Sequence, residues 1–144
     1  MPTFTVPTFI EFLRENYLLV AVALASGGML VWPYLRRATG GPWVTPAQAT
    51  ALMNRDDALV VDVREASEYG GGHVLGAKNI PVARIDAAGA DLAKRKAKPV
   101  IVYCEKGDRS SAAAAALRRQ GFERVFNLAG GMKAWQDAGL PVEK

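Results

Sequence analysis

The stretch VIVYCEKGDRSSAAAAALRRQG, residues 100–121, places an apolar run directly before a charged loop and an alanine-rich segment. The uninterrupted run VIVYC is typical of a strand that is buried on both faces of a parallel sheet. The segment that begins near Ser110 consists of strong helix formers and stops at Gly121, so it predicts a helix. A strand, a loop and a helix in this order form the repeating unit of an α/β domain.

The same alternation of apolar runs and helical segments continues on both sides of this stretch. Further strands are predicted at residues 58–64, 77–80 and 124–128. Helices are predicted after an N-cap at Thr45, within residues 83–97 and within residues 130–139. No hairpin signal joins the strands. The pattern therefore predicts an α/β fold with a mostly parallel central sheet flanked by helices.

Residues 17–35 differ from this pattern because these 19 residues include no acidic or basic side chain. As a helix they would extend about 28 Å, which is close to the thickness of the bilayer core. Aromatic side chains lie near both ends, where they prefer the membrane interface. A cleaved signal peptide and a buried core helix are the alternatives, but the preceding residues are not basic and the apolar run continues past the small residues ALAS. We predict one retained transmembrane helix.

The charges that flank this segment predict its orientation. Arg36 and Arg37 follow it, whereas the preceding flank contains both acidic and basic residues. Because positive charge favours the cytoplasmic side, we predict a single-pass membrane protein whose soluble domain is cytoplasmic. The predicted parts are an N-terminal segment with the transmembrane helix (residues 1–37), a Gly/Pro hinge (38–42) and a globular domain (43–144).

Small residues recur at four-residue spacing within the transmembrane segment, where Ala21 is followed by Ala25 and Ala23 by Gly27. Such spacing lets two helix backbones approach closely, which suggests a homodimer through this helix. The alternative is that small residues are common in membrane helices and carry no such meaning.

The composition of the part after residue 37 argues against several functional classes. Its 15 basic and 12 acidic residues are interspersed, and the basic cluster KRKAK at residues 94–98 is predicted to be a solvated loop. Without interleaved aromatic residues this cluster does not predict nucleic-acid binding. A single cysteine excludes an internal disulfide, and one cysteine with one histidine predicts neither a metal site nor another cofactor.

Cys104, the only cysteine of the chain, lies where the apolar run ends and the loop begins. In parallel α/β sheets, functional sites form at the carboxyl ends of strands. Gly107 would allow the loop to curl so that backbone N–H groups point at the sulfur, and the following helix N-terminus would add partial positive charge. We therefore predict a stabilised thiolate at Cys104, supported by Lys106 and Arg109. A small, buried and inert cysteine is the alternative.

Three stretches, in this order, resemble the single-domain rhodaneses, a family of sulfurtransferases: VVDVREASEYGGGHVLGAKNIP (60–81), VIVYCEKGDRS (100–110) and NLAGGMKAW (127–135). The resemblance covers roughly residues 43–142 and implies a rhodanese-like fold. It also implies that Cys104 is the nucleophile that takes up a sulfane sulfur as a persulfide. The residues implied to form the persulfide-binding loop are Glu105, Lys106, Gly107, Asp108 and Arg109, and those implied to support it are Asp62, Arg64 and Ser110.

Individual positions within these motifs carry further expectations. Glu105 stands where rhodaneses that favour thiosulfate often carry a basic residue, which leaves the identity of the donor open. Glu105 and Asp108 are expected to face solvent or to cap N–H groups, because an inward carboxylate would oppose a thiolate. His73 matches the family's G-H position and is expected to have a structural role.

The implied activity is the transfer of a sulfane sulfur from a small-molecule donor such as thiosulfate to a thiol, cyanide or a sulfur-acceptor protein. Because the chain has no second cysteine, the persulfide must pass to a second molecule. One alternative is a membrane-tethered, non-catalytic adaptor with a rhodanese fold. Another is a related phosphatase or arsenate reductase, but their loops are one residue longer than the four-residue spacing between Cys104 and Arg109.

Overall fold

The computed structural model describes residues 6–39 and 41–144, and the chain divides into two units at the junction of residues 35 and 36. The first five residues of the predicted N-terminal segment and Gly40 of the predicted hinge lie outside the described residues. The helices are α1 (Val6–Glu15), α2 (Tyr17–Thr39), α3 (Pro46–Asp56), α4 (Ala66–Gly70), α5 (Ile85–Asp91), α6 (Asp108–Arg119) and α7 (Gly131–Asp137). The strands are β1 (Trp43–Val44), β2 (Leu59–Asp62), β3 (His73–Val74), β4 (Lys78–Asn79), β5 (Val100–Tyr103), β6 (Val125–Leu128) and β7 (Val142–Glu143).

The first unit is helical. Within α2, Tyr17–Leu35 is long and apolar enough to cross a membrane by length and composition. Within the described residues none of this stretch is buried, and Pro33 lies inside its helix. The helix continues to Thr39, which is beyond the last residue predicted to span a membrane and two residues into the segment predicted as a hinge.

The second unit is built around a five-stranded parallel sheet with the strand order β1-β6-β5-β2-β4. β5 occupies the centre, with Val102 opposite Val61 of β2 and opposite Asn127 of β6. This arrangement confirms the predicted α/β fold with a parallel central sheet flanked by helices. Because all five strands run the same way, their carboxyl ends meet at one edge of the sheet, and residues that follow β2 and β5 become neighbours.

The two faces of the sheet carry separate apolar cores, which explains why β5 is a continuous apolar run and β2 is apolar up to Asp62. Val61 and Val102 point to one face, where they pack with Leu117 of α6. Val60 and Ile101, one residue earlier in each strand, point to the other face. That second core is completed by residues of β5, β6 and α7: Tyr103, Leu128, Met132 and Trp135.

Several short elements differ from the sequence predictions. α6 begins at Asp108, two residues before the predicted start, because Gly107 serves as its N-cap. The predicted strand at residues 77–80 is reduced to the two residues of β4. β1 was not predicted, and neither was the antiparallel pair of β3 and β7, which join residues far apart in the chain and need no hairpin turn. Two-residue strands leave too few positions for an alternating pattern to show.

Candidate active site

Cys104 follows the last residue of β5 at the carboxyl edge of the sheet and is only 2% exposed. The backbone N–H of Gly107 donates a hydrogen bond to Cys104 Sγ over 3.0 Å. Gly107 has a φ of 117°, a conformation that side-chain-bearing residues rarely adopt. A Cβ at this position would also lie 3.1 Å from the Trp43 ring. The glycine therefore permits the curl that aims a peptide N–H at the sulfur.

The first turn of α6 holds the Gly107 peptide in place. Its carbonyl accepts hydrogen bonds from the hydroxyls of Ser110 at 2.9 Å and Ser111 at 3.3 Å. Both serines are buried. Because Gly107 caps α6, the partial positive charge of the helix N-terminus lies beside the Cys104 loop. Ser110, which the resemblance implies to support the loop, thus contacts the residue whose N–H donates to Cys104 Sγ.

The N-terminus of α7 fixes the other side of the loop. The N–H of Met132 donates to the carbonyl of Cys104 over 2.9 Å, and the N–H of Lys133 donates to the carbonyl of Glu105 over 3.4 Å. At Gly131, where φ is 59°, a Cβ would lie 2.3 Å from the Cys104 carbonyl oxygen. The absence of a side chain at Gly131 therefore allows α7 to approach the loop backbone closely.

Asp62 and Arg64 connect β2 to the Cys104 loop. Arg64 Nη2 donates to Asp62 Oδ2 over 2.8 Å and to the carbonyl of Gly72 over 2.7 Å, while Nη1 donates to Glu105 Oε2 over 3.1 Å. Burial is the largest single influence and opposes the charge of Arg64, but the hydrogen bonds and negative charge of Asp62, together with the hydrogen bond to Glu105, outweigh it and raise the pKa of Arg64. The pair therefore forms a brace between β2 and the loop, which it reaches through Glu105.

Tyr103, the last residue of β5, adds a hydroxyl to this group of buried polar side chains. Its hydroxyl donates to Asp62 Oδ2 over 2.7 Å and accepts a hydrogen bond from the N–H of Val74 over 3.0 Å. Burial, reinforced by the Asp62 carboxylate, raises the pKa of Tyr103, so its hydroxyl stays protonated at neutral pH. Tyr103, Asp62 and Arg64 therefore form one buried polar network.

The guanidinium of Arg109 is paired with a carboxylate. Its Nη1 and Nη2 each donate to one carboxylate oxygen of Glu68, both over 2.8 Å. Lys106 and Asp108 are exposed, and Glu105 has a side chain that is 44% exposed although it also accepts from Arg64. The expectation that Glu105 faces solvent thus holds in part, since Arg64 orients it as well.

A depression of about 250 Å³ lies beside the loop, and it is lined by Trp43, Lys106, Gly107, Asp108, Ala129 and Gly130. His73 is buried, and its ring stacks on Tyr69 at 3.7 Å between centroids. Its Nδ1 lies 3.0 Å from the Tyr69 carbonyl, and its Nε2 lies 3.3 Å from Glu143. These contacts join α4 to β7, as expected of a structural histidine.

The family model for the rhodanese-like domain matches residues 45–138. The chain belongs to this family. YqhL, an uncharacterised protein of Bacillus subtilis, is 44% identical over 78 residues, which are 54% of this chain and 60% of YqhL. GlpE of Pseudoalteromonas translucida, named a thiosulfate sulfurtransferase, is 34% identical over 95 residues, which are 66% of this chain and 89% of GlpE.

A rhodanese-related protein from Thermoplasma volcanium has a similar crystal structure. The match has a TM-score of 0.64 at 27% identity and covers 72% of this chain and 98% of that chain. This chain spans less than two thirds of the length of YqhL.

Three residues of this rhodanese-like site were not identified from the sequence as parts of it. Glu68 sits in a short helical turn, where a carboxylate is ordinarily solvated. Tyr103 belongs to an apolar run, where its ring suits the core and its hydroxyl gives no signal. Gly131 belongs to the stretch NLAGGMKAW, which gives no sign of a contact with the loop, and only the space that a Cβ would take from the Cys104 carbonyl shows why a glycine lies there.

Proposed function

We propose that this rhodanese-like domain is a sulfurtransferase in which Cys104 carries the transferred sulfur as a persulfide. The observation that carries the proposal is the hydrogen bond from the Gly107 N–H to Cys104 Sγ at the N-terminus of α6. A peptide N–H and a helix N-terminus both stabilise negative charge on sulfur, and the thiolate is the nucleophilic form of cysteine. The relatives that are named thiosulfate sulfurtransferases support the same activity.

The reaction has two displacement steps. The Cys104 thiolate attacks the sulfane sulfur of the donor, an S–S bond forms, and the bond between that sulfur and the rest of the donor breaks. The leaving group departs with the electron pair, as sulfite does from thiosulfate. An acceptor nucleophile such as cyanide or a thiol then attacks the terminal sulfur of the persulfide and releases the Cys104 thiolate. The Gly107 N–H faces Sγ, which bears the negative charge before the first step and after the second, whereas the terminal sulfur of the persulfide bears it in between.

The acceptor is a second molecule in this scheme. Cys104 is the only cysteine of the chain, so an internal thiol cannot displace the persulfide. Acceptors compatible with this chemistry are cyanide, a small thiol, a thioredoxin or another sulfur-acceptor protein.

Intact-mass measurement on the full chain in a non-ionic detergent tests the sulfurtransferase proposal. Incubation with a sulfane donor is expected to add the mass of one sulfur atom, and cyanide is expected to remove it and yield thiocyanate. Cys104→Ser is expected to abolish both changes, because a serine hydroxyl is not ionised at neutral pH. The thermal unfolding of Cys104→Ser is measured alongside to show that the variant is folded. A wild-type chain that takes up no sulfur from any donor would favour the non-catalytic adaptor instead.

The membrane assignment is part of the proposal. We propose that Tyr17–Leu35 anchors the chain in a membrane and that Arg36 and Arg37 hold the rhodanese-like domain on the cytoplasmic side. The chain is expected to stay in the pellet after carbonate extraction of membranes, and protease added outside intact cells is expected to spare the domain. Release by carbonate would contradict the anchor, and cleavage from outside would contradict the orientation.

A homodimer through α2 is a further element of this proposal. In a helix, residues four apart share a face, so Ala23 and Gly27 present little side chain to a neighbouring helix. Crosslinking in native membranes tests it, since Gly27→Leu is expected to reduce the dimer. A Gly27→Leu variant that dimerises like the wild type would exclude this face.

A further inference from the structure

Both arginines beside the Cys104 loop are paired with carboxylates. Arg64 donates to Asp62 and to Glu105, and Arg109 donates to both oxygens of Glu68. The negative charge of the carboxylate offsets the positive charge of the arginine, so the pair as a whole attracts an anionic donor only weakly. The positive charge that the sequence places next to Cys104 is therefore largely cancelled in the folded chain.

Of the two ion pairs, that of Arg109 and Glu68 has the geometry better suited to a role in donor choice. Two parallel hydrogen bonds of 2.8 Å join the guanidinium to the carboxylate, and the N–H of Glu65 donates to Glu68 Oε2 over 3.0 Å. The hydrogen bonds from Arg109 hold the pKa of Glu68 at about 2, so Glu68 is charged at neutral pH. Glu68 likewise raises the pKa of Arg109 through these hydrogen bonds. Arg109 lies in the first turn of α6, two residues after Gly107, whose N–H donates to Cys104 Sγ, so its pair with Glu68 is part of the surroundings of the sulfur.

The charges around the loop do not favour a dianion. The loop and the side chains paired with it carry three cations, Arg64, Lys106 and Arg109, and four carboxylates, Asp62, Glu68, Glu105 and Asp108. Thiosulfate brings two negative charges to a site that already holds a thiolate. A thiosulfonate, RSO₂S⁻, offers the same kind of sulfane sulfur with one negative charge. Electrostatic repulsion therefore penalises thiosulfate more than a thiosulfonate.

We propose that Glu68 is a specificity-determining residue, which clamps Arg109 and thereby directs the site toward sulfane donors with a single negative charge and away from thiosulfate. This inference rests on the sulfurtransferase function proposed above. Glu68 has more effect on this choice than Glu105, because Arg64 remains paired with Asp62 when Glu105 is absent, whereas Glu68 is the carboxylate that holds Arg109.

The chemistry is the same for both classes of donor. With a thiosulfonate, the Cys104 thiolate attacks the terminal sulfur, the Cys104 S–S bond forms, and the bond between that sulfur and RSO₂ breaks. The sulfinate RSO₂⁻ leaves with the electron pair, and Cys104 carries the anionic persulfide. With thiosulfate the leaving group is sulfite, which carries one negative charge more. No oxidant, reductant or proton is needed in either case. The two donors differ in charge, leaving group and size, so the change in their relative rates when one charge of the site is removed reports the effect of donor charge.

The test compares thiosulfate with methanethiosulfonate as donors for the full chain in a non-ionic detergent, with cyanide as acceptor. Glu68→Gln keeps the shape of the side chain and removes its charge. We expect it to raise the ratio of kcat/KM for thiosulfate to kcat/KM for methanethiosulfonate about threefold to tenfold, the effect of roughly one unit charge across a partly solvated site. Asp56→Asn is the matched control, because it removes a carboxylate that pairs with Arg124 over 3.1 Å outside the loop, and the ratio is expected to stay unchanged.

Ionic strength gives a second measurement that needs no variant. In the wild type, the same ratio is expected to rise with added salt, because salt screens the repulsion of the dianion more strongly. A ratio that falls with salt, or that is unaltered by Glu68→Gln, overturns the role of Glu68 in donor choice. An equal shift in Asp56→Asn overturns it as well, because net charge would then be the cause. If the wild type takes up sulfur from neither donor, the sulfurtransferase proposal fails and this inference fails with it.

Discussion

Arg64 and Arg109 flank the same cysteine loop and both form ion pairs, yet they are held in different surroundings. The side chain of Arg64 is 5% exposed and that of its partner Asp62 is fully buried, whereas the side chains of Arg109 and Glu68 are 39% and 34% exposed. Arg64 also contacts the Gly72 carbonyl and Glu105, so it connects three segments of the chain. Arg109 contacts Glu68 through two hydrogen bonds at the surface.

The difference in burial separates a structural role from a functional one. Removing one partner of a buried pair leaves an uncompensated charge that water cannot reach, which costs much more than the pair itself contributes. Removing one partner of a half-exposed pair leaves a charge that water solvates. We therefore expect Arg64 to govern the stability of the domain and Arg109 to govern the electrostatics of the site.

The largest expected effect is that of Arg64→Ala. This change leaves the buried Asp62 carboxylate without its cation, so we expect the free energy of unfolding to fall by about 3–5 kcal/mol. Chemical denaturation of the full chain in a non-ionic detergent, followed by tryptophan fluorescence, measures the change. Arg124→Ala is the matched control, because it breaks the exposed pair with Asp56 and is expected to cost less than about 1 kcal/mol. Equal losses in the two variants would refute the distinction between buried and exposed pairs.

An intermediate effect is expected from Tyr103→Phe. The ring stays in the core, but the buried N–H of Val74 loses its acceptor and Asp62 loses one donor. The free energy of unfolding is expected to fall by about 1–3 kcal/mol, the cost of a buried polar group left unpaired. The double variant with Arg64→Ala shows whether the two residues belong to one network. Strictly additive losses would argue that they act independently.

The smallest expected effect on stability is that of Arg109→Ala, which we expect to be below about 1 kcal/mol at neutral pH because the pair is partly exposed. Its pH dependence is more informative than its size. Arg109 holds the pKa of Glu68 at about 2, below the ordinary value of 4.5, so the charged pair contributes stability above the unfolded-state pKa. This contribution is lost as the pH falls from about 4.5 toward about 2.

Denaturation midpoints of the wild type and Arg109→Ala across this pH range check the prediction. The difference between the two proteins is expected to be constant near neutral pH and to shrink in acid. A difference that grows in acid would show that Glu68 is not the group held by Arg109.

The sequence predicted the fold from features that are local in the chain. β5 is apolar throughout, and β2 and β6 are apolar except for Asp62 and Asn127, because each strand faces a core on both sides. The alanine-rich α6 lies between Gly107 and Gly121. A strand of four residues between helices is long enough for its apolar residues to be recognised in the sequence. The two-residue strands β1, β3 and β7 form only where other strands or chain segments bring partners, so no local pattern specifies them.

At the site, the sequence by itself determined the position of Cys104 at the end of a central strand, the glycine that curls the loop and the helix that follows it. These three features depend on residues that are adjacent in the chain, so they can be predicted from the sequence. Only the tertiary structure decided the state of the charges. Whether Arg109 is free or clamped depends on Glu68, which lies 41 positions earlier and reaches it only because β2 and β5 end side by side. The number of charged residues along the loop does not predict such pairing, because Coulomb interactions depend on distance in space and on the access of water.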